Sequence, residues 1–391
     1  MPVKIPFVFG LSPQEPPISP TNDLWRTPLP LHRHDFDPPS VRLSRHAVPT
    51  YGDYFCAARH FLKQNDIALL CNAVSQISDH PIKADDLSKV AVYLVKHGAY
   101  YHPGYVVIDA AGRQWPMVLN VAVSPAGQKI IDGEYKHLAV LNAVLPKKFW
   151  PMVYGHGTGQ ICQQQLLPMF LGQWLEGFHE FHLTEDSKSV IVWDNDHGHA
   201  LVPPSQVKAL LRKASAILAY AYNPLTLEGI GNWHHAAGDF VVKMDNKGLD
   251  VRLITVRRYA PVFDIARLDV TTVLEALLTY FIAISLRMRL DRLNGIGKPA
   301  CYPLEMLPDI WTGLLEGLSL SAADRGLPDD FATTAMQYFA LHSEAELLAI
   351  IEGITTHATC SAQEQALISQ MLKPHAGKLA EMLSQSQGSP T

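Results

Sequence analysis

Trp233-His234-His235-Ala236-Ala237-Gly238-Asp239-Phe240-Val241-Val242 is the stretch that decides how this chain is organised. It follows the clearest amphipathic segment, Ser205 to Tyr222, where Val207, Leu210, Leu211, Ile217 and Leu218 share one helical face and Lys208, Arg212 and Lys213 lie off it. Asn223-Pro224 is a stop signal for that helix. The decisive stretch ends in an apolar run, Phe240-Val241-Val242. A second run, Val251-Arg252-Leu253-Ile254-Thr255-Val256, follows across the polar turn Asp245-Asn246-Lys247-Gly248, which predicts a short hairpin. Two histidines and a carboxylate therefore stand on a loop between a long helix and a β-hairpin, beside a glycine that permits a tight backbone path. Imidazole suits proton transfer near neutral pH, and a carboxylate suits a hard cation. The plainer alternatives are histidines bonded to backbone carbonyls and an Asp239 that caps a turn.

Upstream, Tyr105-Val106-Val107-Ile108-Asp109 and Trp115-Pro116-Met117-Val118-Leu119-Asn120-Val121-Ala122-Val123 flank Ala110-Ala111-Gly112-Arg113, which predicts another hairpin. Ile130, Ile131, Tyr135, Leu138, Leu141 and Val144 then recur at helical intervals. Strands follow at 150–155 and 166–171, and His156-Gly157-Thr158-Gly159 reads as a turn after the first of them. This order predicts an α+β lobe built on an antiparallel sheet with one long helix. From Tyr51 to His97 the apolar residues recur at helical spacing. Eleven of the 28 prolines fall in the first fifty residues, which blocks helix interiors and central strands. From Asp269 to about Ser384 the chain reads as helices, broken at Gly295-Ile296-Gly297-Lys298-Pro299 and Arg325-Gly326-Leu327-Pro328. The expected organisation is a Pro-rich arm (1–48), a helical extension (49–100), a small α+β lobe (101–175), a large mainly helical lobe (176–384) and a flexible tail (385–391).

That order of elements resembles the bilobal protein-kinase-like fold, and in particular its aminoglycoside phosphotransferase-like branch, over roughly residues 100–350. In that branch the catalytic loop reads His-Gly-Asp, four residues, Asn, then an apolar strand. Gly238-Asp239-Phe240-Val241-Val242 resembles the end of that loop, with Asp239 in the position of the metal-binding Asn and His234 in that of the catalytic Asp. The resemblance implies His234, with His235 beside it, as the candidate base that accepts the acceptor hydroxyl's proton. It implies Asp239 as a metal ligand, and ATP and Mg²⁺ as cofactors. Asn120 falls where the third strand carries its phosphate-binding Lys, Glu134 resembles the helix Glu that pairs with that Lys, and Arg257 would help to organise the nucleotide site. Three hallmark charged positions depart from the pattern: His234 for Asp, Asn120 for Lys, and Thr255 where a metal-binding Asp follows the hairpin. Lys129 lies nearby in sequence, but spacing alone does not give it the missing lysine's role. The chain therefore reads as a degenerate member. It is either a phosphotransferase acting on a small-molecule or protein acceptor, or a pseudokinase-type binding or regulatory module without catalysis.

A competing reading comes from 18 histidines. His179-Glu180-Phe181-His182, Asp194-Asn195-Asp196-His197-Gly198-His199 and His234-His235 carry ligand types that suit Zn²⁺ or a redox metal, though at no recognised spacing. Arg257 and Arg258 could hold a phosphate bidentately, or pair with a buried carboxylate such as Glu134. Arg287, Arg289, Asp291 and Arg292 read as charges at a helix end.

Bulk composition narrows the partners. The 391 residues are 48% hydrophobic and 18% charged, as folded globular chains are, with a net charge of −5. That gives no general attraction for nucleic acid or anionic lipid. Five scattered cysteines with no CxxC pair, and an N-terminus without an apolar leader, fit a cytoplasmic protein. The apolar run from Val270 to Leu286 carries Glu275 and reads as a buried core helix, so no membrane partner is expected.

Overall fold

The computed structural model describes residues 5–30, 48–98, 100–161, 165–187, 189–194, 198–231, 236–245, 248–264, 268–295, 297–356 and 361–385. The catalytic candidates His234 and His235, part of the Pro-rich arm (31–47), Asn195, Asp196 and His197 of the histidine cluster, and all but the first residue of the tail lie outside these residues. The chain divides into two compact units, Met1–Val140 with Pro151–Leu175, and Leu141–Trp150 with Glu176–Thr391.

The first unit holds β1 (Phe7–Gly10), α1 (Tyr51–Leu62), α2 (Ala68–Ser78), β2 (Leu87–Leu94), β3 (His102–Ala110), β4 (Arg113–Val121), most of α3 (Pro125–Val144), β5 (Val153–Gln160) and β6 (Leu166–Gln173). Along β3 and β4 buried and half-exposed residues alternate, the period of a sheet with one face on a core. The strands form one sheet in the order β1-β2-β3-β4-β6-β5, antiparallel except for the parallel edge pair β1–β2. Val90, Val92, Ile108, Met117, Leu119, Leu167 and Leu171 bury one face against Tyr54, Phe55 and Phe61 of α1. Ile5, Phe9, Ile18 and Leu29 of the arm enter the same core.

Two features differ from the sequence reading. The helical extension ends at Ser78, where Asp79 turns left-handed, and Leu87–Leu94 forms a strand. Its Val90-Ala91-Val92 core fits a helix face as well as a buried strand, and pairing with β1 and β3 decides between them. His156-Gly157-Thr158-Gly159 makes no turn and lies within β5. There Gly155, Gly157 and Gly159 leave room for helices: a Cβ on Gly159 would stand 2.1 Å from the Ala57 carbonyl oxygen of α1. The edge of β5 is capped from the end of α1 and the turn after it, since Gln64 Nε2 donates to the Thr158 carbonyl (2.9 Å) and the Gln160 N–H donates to His60 Nδ1 (3.3 Å).

The second unit begins with the small sheet β7 (Phe181–Leu183), β8 (Val190–Val192) and β9 (Ala200–Val202). It continues through α4 (Pro204–Ala221), β10 (Glu228–Gly231), the one-turn α5 (Ala236–Asp239), the hairpin β11 (Phe240–Asp245) and β12 (Gly248–Leu253), and β13 (Arg258–Pro261), which pairs with β10. Then come α6 (Val270–Arg287), the strand pair β14 (Leu290–Arg292) and β15 (Pro299–Cys301), and α7 (Leu307–Asp324), α8 (Phe331–Phe339), α9 (Glu344–Thr356) and α10 (Ala362–Gln385). Helix α4 lies directly against α7, where Gly313 and Gly317 admit its backbone. Among the described residues α6 is the helix long and apolar enough to cross a membrane; 56% of it is buried, with Phe281 edge-on to Trp311 and Phe339. The fold is α+β, with a sheet-rich N-terminal part and a mainly helical C-terminal part.

Candidate functional site

The hairpin register creates the site. Phe240 pairs with Leu253, so the residue before β11 stands beside the residues that follow β12. The Ile254 N–H donates to the Asp239 carbonyl at 2.8 Å and fixes this alignment. The Asp239 carboxylate, buried at the end of α5, then accepts from Thr255 Oγ1 at 2.6 Å and from Arg257 Nη2 at 2.8 Å, both on Oδ1, and from Arg257 Nη1 at 3.2 Å on Oδ2. Gly238, at φ +91°, supplies the left-handed turn that precedes it.

Three positions that the sequence reading treated separately thus form one cluster: the candidate metal ligand Asp239, the altered position Thr255 and the nucleotide-site candidate Arg257. Both carboxylate oxygens face donors, and a fixed guanidinium stands where a cation would bind. Among the described residues no group of three or more His, Cys, Asp or Glu is arranged to hold a metal ion.

The two candidates in the first unit are not joined by a hydrogen bond among the described residues. Asn120 lies on β4 in register with Pro103 and Phe170. Glu134, buried on α3, accepts from the Tyr101 hydroxyl at 2.5 Å, a short, strong bond of the kind an anion makes with a hydroxyl. Lys129 is exposed on α3.

Two described histidines of the competing cluster, His179 and His182, take separate carboxylate partners. His179 Nε2 lies 3.6 Å from Asp194 Oδ2. His182 is buried between two carboxylates, with Nδ1 3.4 Å from Asp291 Oδ1 and Nε2 3.8 Å from Glu180 Oε2. Burial lowers the His182 pKa, but the bonds to Asp291 and Glu180 and their charges outweigh it, so the net shift is upward. Asp291 also accepts the backbone N–H groups of Leu183 and Arg292, each at 2.7 Å.

Sequence reasoning read Arg289 and Asp291 as helix-end charges that pair along the helix and complement its dipole, and the structure corrects this. Both are buried beyond the end of α6. Arg289 Nη1 lies 3.1 Å from His375 Nδ1, and Ser285 Oγ lies 3.0 Å from His375 Nε2. The available signal was local: Arg289 and Asp291 each stand between the large apolar residues Met288 and Leu290 or next to them, where solvated charges are uncommon.

No family model matches this sequence, and no curated protein matches it. Among solved structures it is similar to the protein kinase Rad53, residues 1–466, in complex with AMP-PNP, at 13% identity and a TM-score of 0.34. The match covers 70% of this chain and 66% of that chain, just under two thirds of its length. A likeness that low leaves the site to be argued from its own residues.

Proposed function

We propose that this chain is a pseudokinase-type module that binds a partner or ligand without transferring phosphate. The observation that carries this reading is the Asp239 carboxylate engaged by Arg257 and Thr255. Mg²⁺ takes its protein ligands from charged oxygens and demands near-ideal octahedral geometry. Here a hydroxyl replaces the second carboxylate, and a guanidinium already neutralises the first. Asn120 supplies no charge for a phosphate, and Glu134 is bonded to a tyrosine hydroxyl. The Gly238-Asp239-Phe240 string favours the small-molecule branch of the kinase-like fold, and the scattered cysteines, with no CxxC pair, fit a reducing cytoplasm.

The test is a thermal-shift matrix of ATP, ADP and GTP with and without Mg²⁺ or Mn²⁺, run beside an assay for phosphate transfer from ATP. A ligand that binds only the native state stabilises it by about 2.7 kcal/mol at a hundredfold excess over Kd. No metal-dependent shift and no transfer are expected. A metal-dependent shift that disappears in Asp239→Asn, with transfer that disappears in His234→Ala, would establish the phosphotransferase reading with ATP and Mg²⁺ as cofactors. Purification without chelator, followed by elemental analysis, tests the metal-enzyme reading; stoichiometric zinc, iron or manganese would revive it.

A further inference from the structure

The end of α1 and the end of β5, both in the first unit, border a shallow, open cleft of about 570 Å³. Arg59, His60, Lys63, Gln64 and Gln160 line it, and among the described residues no carboxylate does, in a chain whose net charge is −5. We propose that this cleft binds a small phosphorylated ligand. Its volume lies within the roughly 300–1,000 Å³ typical of small-molecule sites.

Several of its polar groups are held in place. His60 Nδ1 accepts the Gln160 N–H, so Nε2 is the nitrogen that carries the hydrogen. Gln64 is anchored by its bond to the Thr158 carbonyl. The Lys63 ammonium sits 5.2 Å from the centre of the Phe7 ring. Among the described residues neither Arg59 nor Lys63 has a carboxylate partner, so their charges are available to a ligand.

A helix C-terminus alone favours a cation in its last turn, and Arg59 and His60 satisfy that preference. It does not account for a described lining that is basic and amide-bearing without a carboxylate, nor for the amide of Gln160 arriving from a different element. A guanidinium, an ammonium and an imidazole N–H around one cavity match the oxygens of a phosphate ester. Arg59 provides the planar fork that binds two of them at once.

The experiment uses the full chain and two probes, a hexose phosphate and the unphosphorylated hexose, followed by thermal shift and calorimetric titration. The phosphorylated probe is expected to bind saturably and the plain sugar not at all. Arg59→Gln/Lys63→Gln should weaken binding at least about tenfold, as loss of charge-assisted bonds does, while the ligand-free melting temperature stays within a degree or so of wild type. Arg59→Lys, which keeps the charge and loses the fork, should fall between the two. No saturable binding, or binding of equal strength in the double variant, would overturn the proposal; so would binding of a phosphoserine peptide in place of the small phosphate. Asp239→Asn leaves this site intact, so a phosphate effect that survives in that variant is separable from any nucleotide bound near Asp239.

Discussion

The Arg257 guanidinium spans the Asp239 carboxylate, with Nη2 2.8 Å from Oδ1 and Nη1 3.2 Å from Oδ2, across 18 residues of sequence that the β11–β12 hairpin folds back on itself. Removing one member of such a pair leaves the other charged and buried. Arg257→Met is expected to destabilise the protein by about 3–5 kcal/mol, whereas Asp239→Asn/Arg257→Met should recover a substantial part of that loss. Urea denaturation of the two single variants and the double gives the coupling energy. Additive effects would mean that the pair contributes nothing.

His182 makes stability fall as pH rises. Its folded-state pKa lies above the ordinary 6.5 because the bonds to Asp291 and Glu180 outweigh the cost of burial. The protonated form is therefore favoured by folding. Its contribution is fully present below the unfolded value and is lost as pH rises through the raised folded value. Asp291 and Glu180 face the ring as charged groups, and Trp193 packs on it at 4.8 Å between centroids. In His182→Asn the decline in stability above about pH 6.5 should flatten, as seen by denaturant titration at a series of pH values. An unchanged slope would mean that the imidazole is not the responsible group.

His375 works in the opposite direction. Burial, with the Arg289 charge beside it, pulls its pKa down to about 3. The folded protein keeps this ring neutral, while the unfolded chain takes up a proton near pH 6.5. Stability from this source is present above 6.5 and is lost as pH falls toward 3, at about 1 kcal/mol for each pH unit. His375→Gln should flatten this acid limb while lowering stability at neutral pH, because Ser285 and Arg289 lose a partner. With His182 and His375 together, stability should peak close to neutral pH.

These two histidines also show where sequence reading reaches its limit. The hairpins at 102–121 and 240–253 and helix α4 were readable because their apolar residues repeat with one local period. Asp239 was marked as a site residue, and Arg257 was expected either to hold a phosphate or to pair with a buried carboxylate such as Glu134. The pairing with Asp239 follows from the hairpin register, which the turn residues alone do not fix. His182 meets Asp291 across 109 residues and His375 meets Arg289 across 86, and no local pattern carries information over such separations. The β5 glycines read as a turn because glycine usually marks one, and their use emerges only once α1 lies on the strand. Asn120 and Glu134 were singled out by resemblance, and the Tyr101 bond to Glu134 had no signal in the sequence.

The same substitution at two helical glycines should have opposite signs. Gly317 lies in α7, where a Cβ would stand 2.1 Å from the Ala216 carbonyl oxygen of α4, and the neighbouring Gly313 meets the Arg212 carbonyl oxygen at 2.0 Å. Backbone cannot swing aside as a side-chain tip does, so Gly317→Ala must separate the two helices. The expected cost is about 1–3 kcal/mol, offset only in part by better helix propensity. Gly353 lies in α9 with nothing within 4 Å of the position its Cβ would take. There the substitution only restricts the unfolded chain and favours the helix, so Gly353→Ala should stabilise by about 0.5–1 kcal/mol. Thermal and denaturant unfolding of both variants test the α4–α7 packing directly. Equal effects at the two positions would show that the close backbone approach at Gly317 is not what holds these helices together.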